Sequence, residues 1–305
     1  SHIKKMIYVY ERSAVAEGDR QLLRDFQQKI PGSKMTASEI YQNCEVAVIF
    51  GSWKKLSKKD YKWDRAPHHI LKNDIVKQHG RKPIVIIETP ILGRTIGRRH
   101  NYYRVGLNHY LNNLAEFNNK DCKPDRFNKL GLQIKPWRTK GDHILVLGQN
   151  LNDASLLGAD MDLWVTTTIR HLLRITKRPI VFRDHPENGN KIREVISRNF
   201  HDTKQVKYDE NVSIKDSLQN AHCCVAYTSG SSLDAILDGV PVIPTSQYNF
   251  VWDISSHSLN EIENPKMGER EQLLYNLAYA QWSVKEIKEG KAWDHLNEYI
   301  NRHNI

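Results

Sequence analysis

Two doubly wound α/β units in tandem, closed by a helical C-terminal segment, are the fold that this sequence predicts. Three observations carry the expectation. The 305-residue length exceeds what one hydrophobic core usually serves. Short, continuous apolar runs recur between helical patterns in both halves, as expected of parallel strands buried on both faces. Between about Asn118 and Gly141 the alternation lapses into polar, Lys/Pro-containing sequence, and then it restarts.

In chain order, Lys5–Glu11 (KMIYVYE) reads as the first strand, and Glu17–Ile30 as a helix with Leu22, Leu23 and Phe26 on one face. Glu45–Phe50 (EVAVIF) is the second strand, His69–His79 a helix, and Lys82–Glu88 (KPIVIIE) the third strand. Val105–Phe117 reads as a helix with Leu107, Tyr110, Leu111 and Leu114 on one side, and Phe127–Lys135 as a short strand or extended arm. The second alternation runs through His143–Gly148 (HILVLG), the helix Met161–Thr176, Pro179–Arg183 (PIVFR) and the helix Lys191–Phe200. A loop at Tyr208–Val212 and a helix near Ile214–Gln219 lead to the strand Cys223–Tyr227. There a small-residue turn opens a helix of about two turns, Gly239 stops it, and Val240–Ile243 forms the last strand. Glu269–His303 reads as wholly helical. The domains expected are therefore 1–121, a linker at 122–141, and 142–305 with its closing helices. Ligands of such sheets bind beyond the carboxyl ends of the strands, so two facing Rossmann-like units predict a cleft between them.

Composition narrows the class. No apolar run approaches the roughly 20 residues of a membrane span, and the start SHIKK lacks a signal-peptide profile. Four cysteines without a CxxC pair predict a reduced, cytoplasmic setting with no disulfide framework and no metal site. The net charge of +10 is uneven: residues 1–141 hold 28 Lys/Arg against 13 Asp/Glu, a balance of +15, leaving −5 for residues 142–305. A polyanionic partner for the first half follows, although a lysine-rich surface also simply confers solubility.

The densest chemical signal is Thr228-Ser229-Gly230-Ser231-Ser232. Such a turn presents unpaired N–H groups at a helix N-terminus among hydroxyls, which suits a phosphate or pyrophosphate. Ser231 or Ser232 could equally be an ordinary cap. Two further strand ends fall on what should be the same rim: Gly148-Gln149-Asn150, with Asp153 and Ser155 beyond, and Arg183-Asp184-His185-Pro186. Arg183 suits a pyrophosphate, and His185 suits donation toward a departing phosphate, although a His before Pro is often only a turn residue.

These motifs, with Gly239-Val240-Pro241-Val242 after them, resemble the nucleotide-sugar domain of GT-B glycosyltransferases of the capsule-polysaccharide and sialic/Kdo-transferase type. The resemblance covers roughly residues 142–300. It implies that the His-Pro and Ser-turn residues hold a diphosphate and that the loop Tyr208–Ser213 holds the base. It also implies a UDP-sugar donor with no permanently bound cofactor, and an inverting, metal-independent transfer. At 305 residues the chain is compact for such an enzyme, and its first half matches no motif of the family.

The acceptor side is read from physics. An inverting transfer needs a base, and Glu88 and Glu11 close the third and first strands, with Asp19 and His69 as weaker candidates. Either glutamate reads equally as a capping or salt-bridged carboxylate. The loop from Gly93 to Gly106 interleaves Arg94, Arg98, Arg99 and Arg104 with His100, Tyr102 and Tyr103, and Lys54 and Lys55 open a second basic patch. Guanidinium forks with aromatic rings suit nucleic acid, while solvated basic loops are the plainer reading. The leading expectation is a transferase acting on hydroxymethylated pyrimidines in DNA, which resembles in overall logic the bacteriophage DNA glycosyltransferases; in that case it would work in the host cytoplasm on glucose or a pentose such as arabinose. The alternatives are a capsule or lipopolysaccharide glycosyltransferase and a non-catalytic, nucleotide-sensing DNA-binding protein.

Overall fold

The computed structural model describes residues 5–54, 66–93 and 100–305. The chain divides into two compact units, Ser1–Leu130 with Tyr275–Ile305, and Gly131–Leu274. The first comprises β1 (Ile7–Tyr10), α1 (Glu17–Gln27), β2 (Ser33–Thr36), β3 (Val46–Phe50), α2 (Pro67–His79), β4 (Ile84–Glu88), β5 (Tyr102–Leu107) and α3 (Asp125–Lys129). The second holds β6 (His143–Leu147), α4 (Met161–Ile175), β7 (Ile180–Arg183), α5 (Lys191–Phe200), β8 (Val206–Tyr208), α6 (Ile214–Leu218), β9 (Ala221–Ala226), α7 (Ser231–Leu237) and β10 (Val242–Pro244). The chain ends in α8 (Glu271–Ala278), β11 (Gln281–Ser283), α9 (Val284–Lys288) and α10 (Lys291–Arg302).

Among the described residues the first unit forms a sheet in the order β11-β5-β4-β3-β1-β2. β2, β1, β3 and β4 are mutually parallel, whereas β5 runs antiparallel to both β4 and β11. The helix expected at Val105–Phe117 is therefore a strand followed by turns. Val105 and Leu107 point into the core, and Asn108 and Asn113 adopt positive φ (77° and 71°), which ends any helical run. Gly106 is required there, because a Cβ would lie 2.4 Å from the Phe117 ring.

The C-terminal segment corrects the sequence reading more deeply. It is interrupted by β11, which pairs with β5, so it belongs to the first unit and not to the second. Gln281 is fully buried and binds the backbone of Ile91 and Leu92 through three hydrogen bonds of 2.8–2.9 Å. Trp282, Trp293, Leu296 and Ile300 join Leu22, Leu23 and Phe26 in one core, with Trp293 edge-on to Phe26 at 6.3 Å. The stretch read as a strand or arm at Phe127–Lys135 begins instead inside α3.

The second unit's sheet is parallel throughout, in the order β10-β9-β6-β7-β8. Counting strands within the unit gives the order 3-2-1-4-5, so connections reverse direction between β6 and β9. Helix α4 starts where Asp160 accepts the N–H groups of Asp162 and Leu163, and its Val165, Ile169 and Leu172 pack on Ile144, Val146 and Phe182. Gly239 has φ 83°, and a Cβ there would stand 2.2 Å from the Pro136 carbonyl oxygen, so only glycine ends α7 this way. These two sheets bear out the expected pair of Rossmann-like units.

Trp293→Ala should cost the first unit about 3–5 kcal/mol. Hydrogen exchange is the measurement: amides of β1, β3 and β4 should lose protection while those of β6 and β9 keep theirs.

Candidate functional site

The reversal point of the second sheet gathers the strongest motifs. Gln149, just past β6, is 4% exposed, and its side chain reaches across to the residue after β9. Its Oε1 accepts the Thr228 N–H at 3.0 Å and its Nε2 donates to Thr228 Oγ1 at 2.8 Å. Thr228 Oγ1 lies 2.7 Å from Ser155 Oγ, which donates in turn to Asp153 Oδ1 at 2.8 Å. Gly148 allows the close approach, since a Cβ would meet Phe182 at 2.7 Å.

Beyond Thr228 the turn is held from below. Ser229 Oγ accepts the Ser231 N–H at 3.2 Å, and the Ser232 N–H donates to Ser229 O at 3.1 Å. Ser232 is fully buried and its Oγ accepts from Asn249 Nδ2 at 3.0 Å, which also holds the Tyr227 carbonyl. Among the described residues the amides of Ser229 and Gly230 take no internal partner. Two N–H groups and the Ser229 and Ser231 hydroxyls thus remain for an anion. Ser232 acts as a structural tether, not as a ligand.

At the end of β7, Asp184 Oδ1 accepts from the His185 N–H and from Asn188 Nδ2, both at 2.8 Å. Its other oxygen is buried without a partner among the described residues, and burial raises this carboxyl above the usual range. Asn188 also donates to the Gln149 carbonyl at 2.9 Å, joining the loops after β6 and β7. The His185 Nδ1 accepts the Glu187 N–H at 3.2 Å. In the neutral ring that bond leaves the proton on Nε2.

Arg183 departs from the expectation. Its guanidinium donates to the carbonyls of Asn211 (2.7 Å) and Val212 (3.0 Å) and to Ser217 Oγ (2.9 Å), and it pairs with Asp209 at 3.5 Å. It fixes the loop after β8 and is not turned toward a pyrophosphate. That loop presents Val212 with 97% exposure. Ser213 caps α6 by accepting the Asp216 N–H at 3.1 Å, and Tyr208 is half-buried under the Arg193 guanidinium, 4.5 Å from its ring centre. Asn188, Asn249, Asp209 and Ser217 were not singled out in the sequence. For Asn188, Asn249 and Asp209 the available signal was a polar residue within five positions past a strand end; Ser217, inside α6, carried none.

The first unit answers the acceptor-side expectations unevenly. Lys55, Arg94, Arg98 and Arg99 lie outside the described residues. Tyr103 is buried against Phe50 and is no stacking platform, whereas Tyr102 is half-exposed. Arg104 is internal: it pairs with Glu88 at 3.3 Å and donates to the carbonyls of Thr89 and Tyr110. Glu11 pairs with Arg24. The Lys54 N–H donates to His69 Nδ1 at 3.3 Å. Among the described residues no group of three or more His, Cys, Asp or Glu is placed to hold a metal ion, and no helix is long and apolar enough to cross a membrane.

No protein-family model and no curated protein sequence matches the chain. Two solved structures of KpsC from Thermosulfurimonas dismutans are similar in fold. The β-Kdo 2,4 transferase aligns with TM-score 0.51 and 13% identity over 92% of this chain and 91% of its own. The β-Kdo 2,7 transferase aligns with TM-score 0.51 and 14% identity over 94% and 98%. At that identity the likeness is one of fold: this chain has the GT-B fold of two Rossmann-like units.

Burial holds the imidazoles near Trp53 neutral, with His69 down to about 3 and His68 and His109 down to about 4, from an ordinary 6.5. Between those values the unfolded chain binds protons that the folded unit does not, so stability is lost as pH falls from about 6.5 toward 4. Urea midpoints should decline across that window, and His69→Gln should flatten the decline.

Proposed function

We propose that this chain is a glycosyltransferase that holds a nucleotide sugar at the β6/β9 reversal point of its second unit and transfers the sugar to a hydroxyl of an anionic polymer. The observation that supports this most is the Gln149–Thr228 crossing, which fixes a hydroxyl-lined turn with two amides unpartnered among the described residues, while His185 follows β7 on the other side of β6. In this reading the Ser229 and Gly230 amides, with the Ser229 and Ser231 hydroxyls, receive the phosphates. His185 donates its Nε2 proton to the departing phosphate oxygen, and such preorganised donors act where charge develops. Arg183 works at one remove, holding the loop 209–213 for the nucleobase. The transfer we propose is inverting and metal-independent, as the motif resemblance implies.

The donor we propose first is UDP-linked. The acceptor we propose first is a hydroxymethylated pyrimidine in DNA, supported by the +15 balance of residues 1–141. A glycan acceptor is the second reading, and it gains from the fold likeness to two proteins named as Kdo transferases. Mass spectrometry of nucleosides from hydroxymethylated DNA, run beside an acidic glycan acceptor with UDP-sugars and CMP-Kdo, separates the two. A new glycosylated nucleoside and steeply salt-dependent duplex binding support DNA, and product on the glycan alone transfers the assignment there.

His185→Ala should lower kcat by about 10²-fold or more and weaken nucleotide binding less than it lowers the rate. Gln149→Leu should instead weaken nucleotide binding about tenfold or more, through loss of the fixed turn. Isothermal titration with UDP and steady-state transfer assays read the two effects separately.

A further inference from the structure

The C-terminal segment that completes the first sheet also closes a cavity of about 230 Å³ within that unit. Strand register fixes where it lies. Arg104 of β5 stands opposite Glu88, the last residue of β4, and Tyr102 stands opposite Ser283 of β11. Because β5 runs antiparallel to both neighbours, Tyr102 and Ser283 lie beyond the carboxyl end of β4, on the rim where such sheets take ligands. Both residues line the cavity. Drug-sized sites span roughly 300–1,000 Å³, so this one suits a smaller ligand.

The least exposed part of its wall is a neutral pair. Arg126, with its side chain 11% exposed, sets two guanidinium nitrogens on the Glu286 carboxylate at 2.6 and 2.9 Å. It also donates to the carbonyls of Ala278 (3.2 Å) and Gln281 (2.8 Å). The Ser283 N–H donates to the same carboxylate at 2.9 Å, and the Ser283 hydroxyl oxygen accepts the Glu286 N–H at 3.0 Å. Burial works to raise Glu286, but the bonds from Arg126 and Ser283 hold it down to about 2, so it stays ionised. The Ser283 hydroxyl proton and the second Nη1 proton of Arg126 have no acceptor among the described residues. Two donors in the wall are thus left for a ligand.

Around the neutral pair the charges do not balance. Lys291 lies 3.0 Å from Glu289 and Lys285 lies 3.8 Å from the same carboxylate, so one acid serves two ammonium groups. Lys291, through its hydrogen bond, keeps Glu289 below the usual carboxylate range. Lys129, the last residue of α3, forms no ion pair among the described residues. The wall carries four cations, Arg126, Lys129, Lys285 and Lys291, against the two glutamates, an excess of two positive charges. Lys285 is the second residue of α9 and Lys291 the first of α10, where the helix dipole disfavours a cation. Helix stability therefore does not account for these lysines, whereas an anion held among them does.

We propose that this cavity is a ligand site of the first unit and that it takes a phosphate monoester. Two uncompensated positive charges match the charge of about −1.5 to −2 that such a group carries near pH 7. A carboxylate or a phosphodiester, with a single negative charge, leaves the wall only half neutralised. The lysines supply point charges, and Arg126 and Ser283 supply the fixed donors. A free sugar phosphate and the phosphorylated end of a polymer both present this group. The site goes beyond the glycosyltransferase reading and does not depend on it.

The test is calorimetry on the full chain with excess UDP present, which keeps the nucleotide turn of the second unit occupied. The probes are glucose 6-phosphate, sulfate, glucuronate, and duplex DNA with and without a 5′-phosphate. Glucose 6-phosphate should bind about tenfold or more tightly than glucuronate, and replacing both exposed lysines, Lys129→Gln with Lys291→Gln, should weaken it by about tenfold or more. UDP affinity should not change in that double variant. Affinity for glucose 6-phosphate should fall between about pH 7 and 5, as the ester takes up its second proton, while affinity for sulfate stays level. Preference for the 5′-phosphorylated duplex over glucose 6-phosphate assigns a polymer end, and the opposite preference assigns a free sugar phosphate. Unweakened binding by the double variant, or glucuronate bound as tightly as the ester, would overturn the assignment. Duplex binding that ignores the 5′-phosphate and yet is lost in the double variant would overturn it in favour of a general polyanion surface. Ester binding without UDP binding would sink the donor reading and leave this site standing, and UDP binding without ester binding would do the reverse.

Discussion

The second unit depends on one buried amide. Gln149 has almost no contact with water, so both ends of its side chain must find partners inside the protein. They find the same residue, Thr228, through its N–H and its hydroxyl. Because β6 and β9 are adjacent parallel strands whose connections run in opposite directions, this contact fastens the two sides of the sheet's natural crevice. The net gain from two such bonds is about 1–3 kcal/mol, but leaving the amide unpaired would cost as much again. That asymmetry keeps the turn in one conformation. Asn188 repeats the device between the loops after β6 and β7, and Asn249 repeats it beneath Ser232.

The first unit shows how far net charge differs from available charge. Its excess of basic residues suggests a polyanion-binding face, yet several of those side chains are committed internally. Arg104 holds Glu88, Arg24 holds Glu11, and Arg126 makes a two-point contact with Glu286 while stacking 4.1 Å from the Trp282 ring centre. Lys72 is buried outright. The polyanion argument therefore rests on the remaining exposed lysines and arginines, and it is weaker than the balance of +15 over residues 1–141 implies.

Much of the fold was legible because the central strands are buried on both faces and announce themselves as continuous apolar runs. EVAVIF, KPIVIIE, HILVLG and PIVFR all become strands within two residues of the expected ends. Elements that failed did so for identifiable reasons. β2 is a polar edge strand, SKMT, with no apolar face to read. Leu107, Leu111 and Leu114 keep helical spacing by coincidence, and the strand pairing of β5 with β4 overrides it. β11 has three residues, and only its pairing with β5 reveals that the C-terminal helices belong with the N-terminal half. In the site, Gln149 and Thr228–Ser232 were visible as motifs, but the division of labour among them was not. Arg183 and Ser232 turn inward because their partners, Asp209, Ser217 and Asn249, come from segments whose proximity only the folded topology creates.

The most direct test of the central claim is a crystal structure of the protein with a bound nucleoside diphosphate. The account predicts phosphate oxygens within hydrogen-bond distance of the Ser229 and Gly230 amides and of His185 Nε2, with Gln149 still joined to Thr228. A nucleotide bound elsewhere, with that turn vacant and its amides directed into protein, would contradict it.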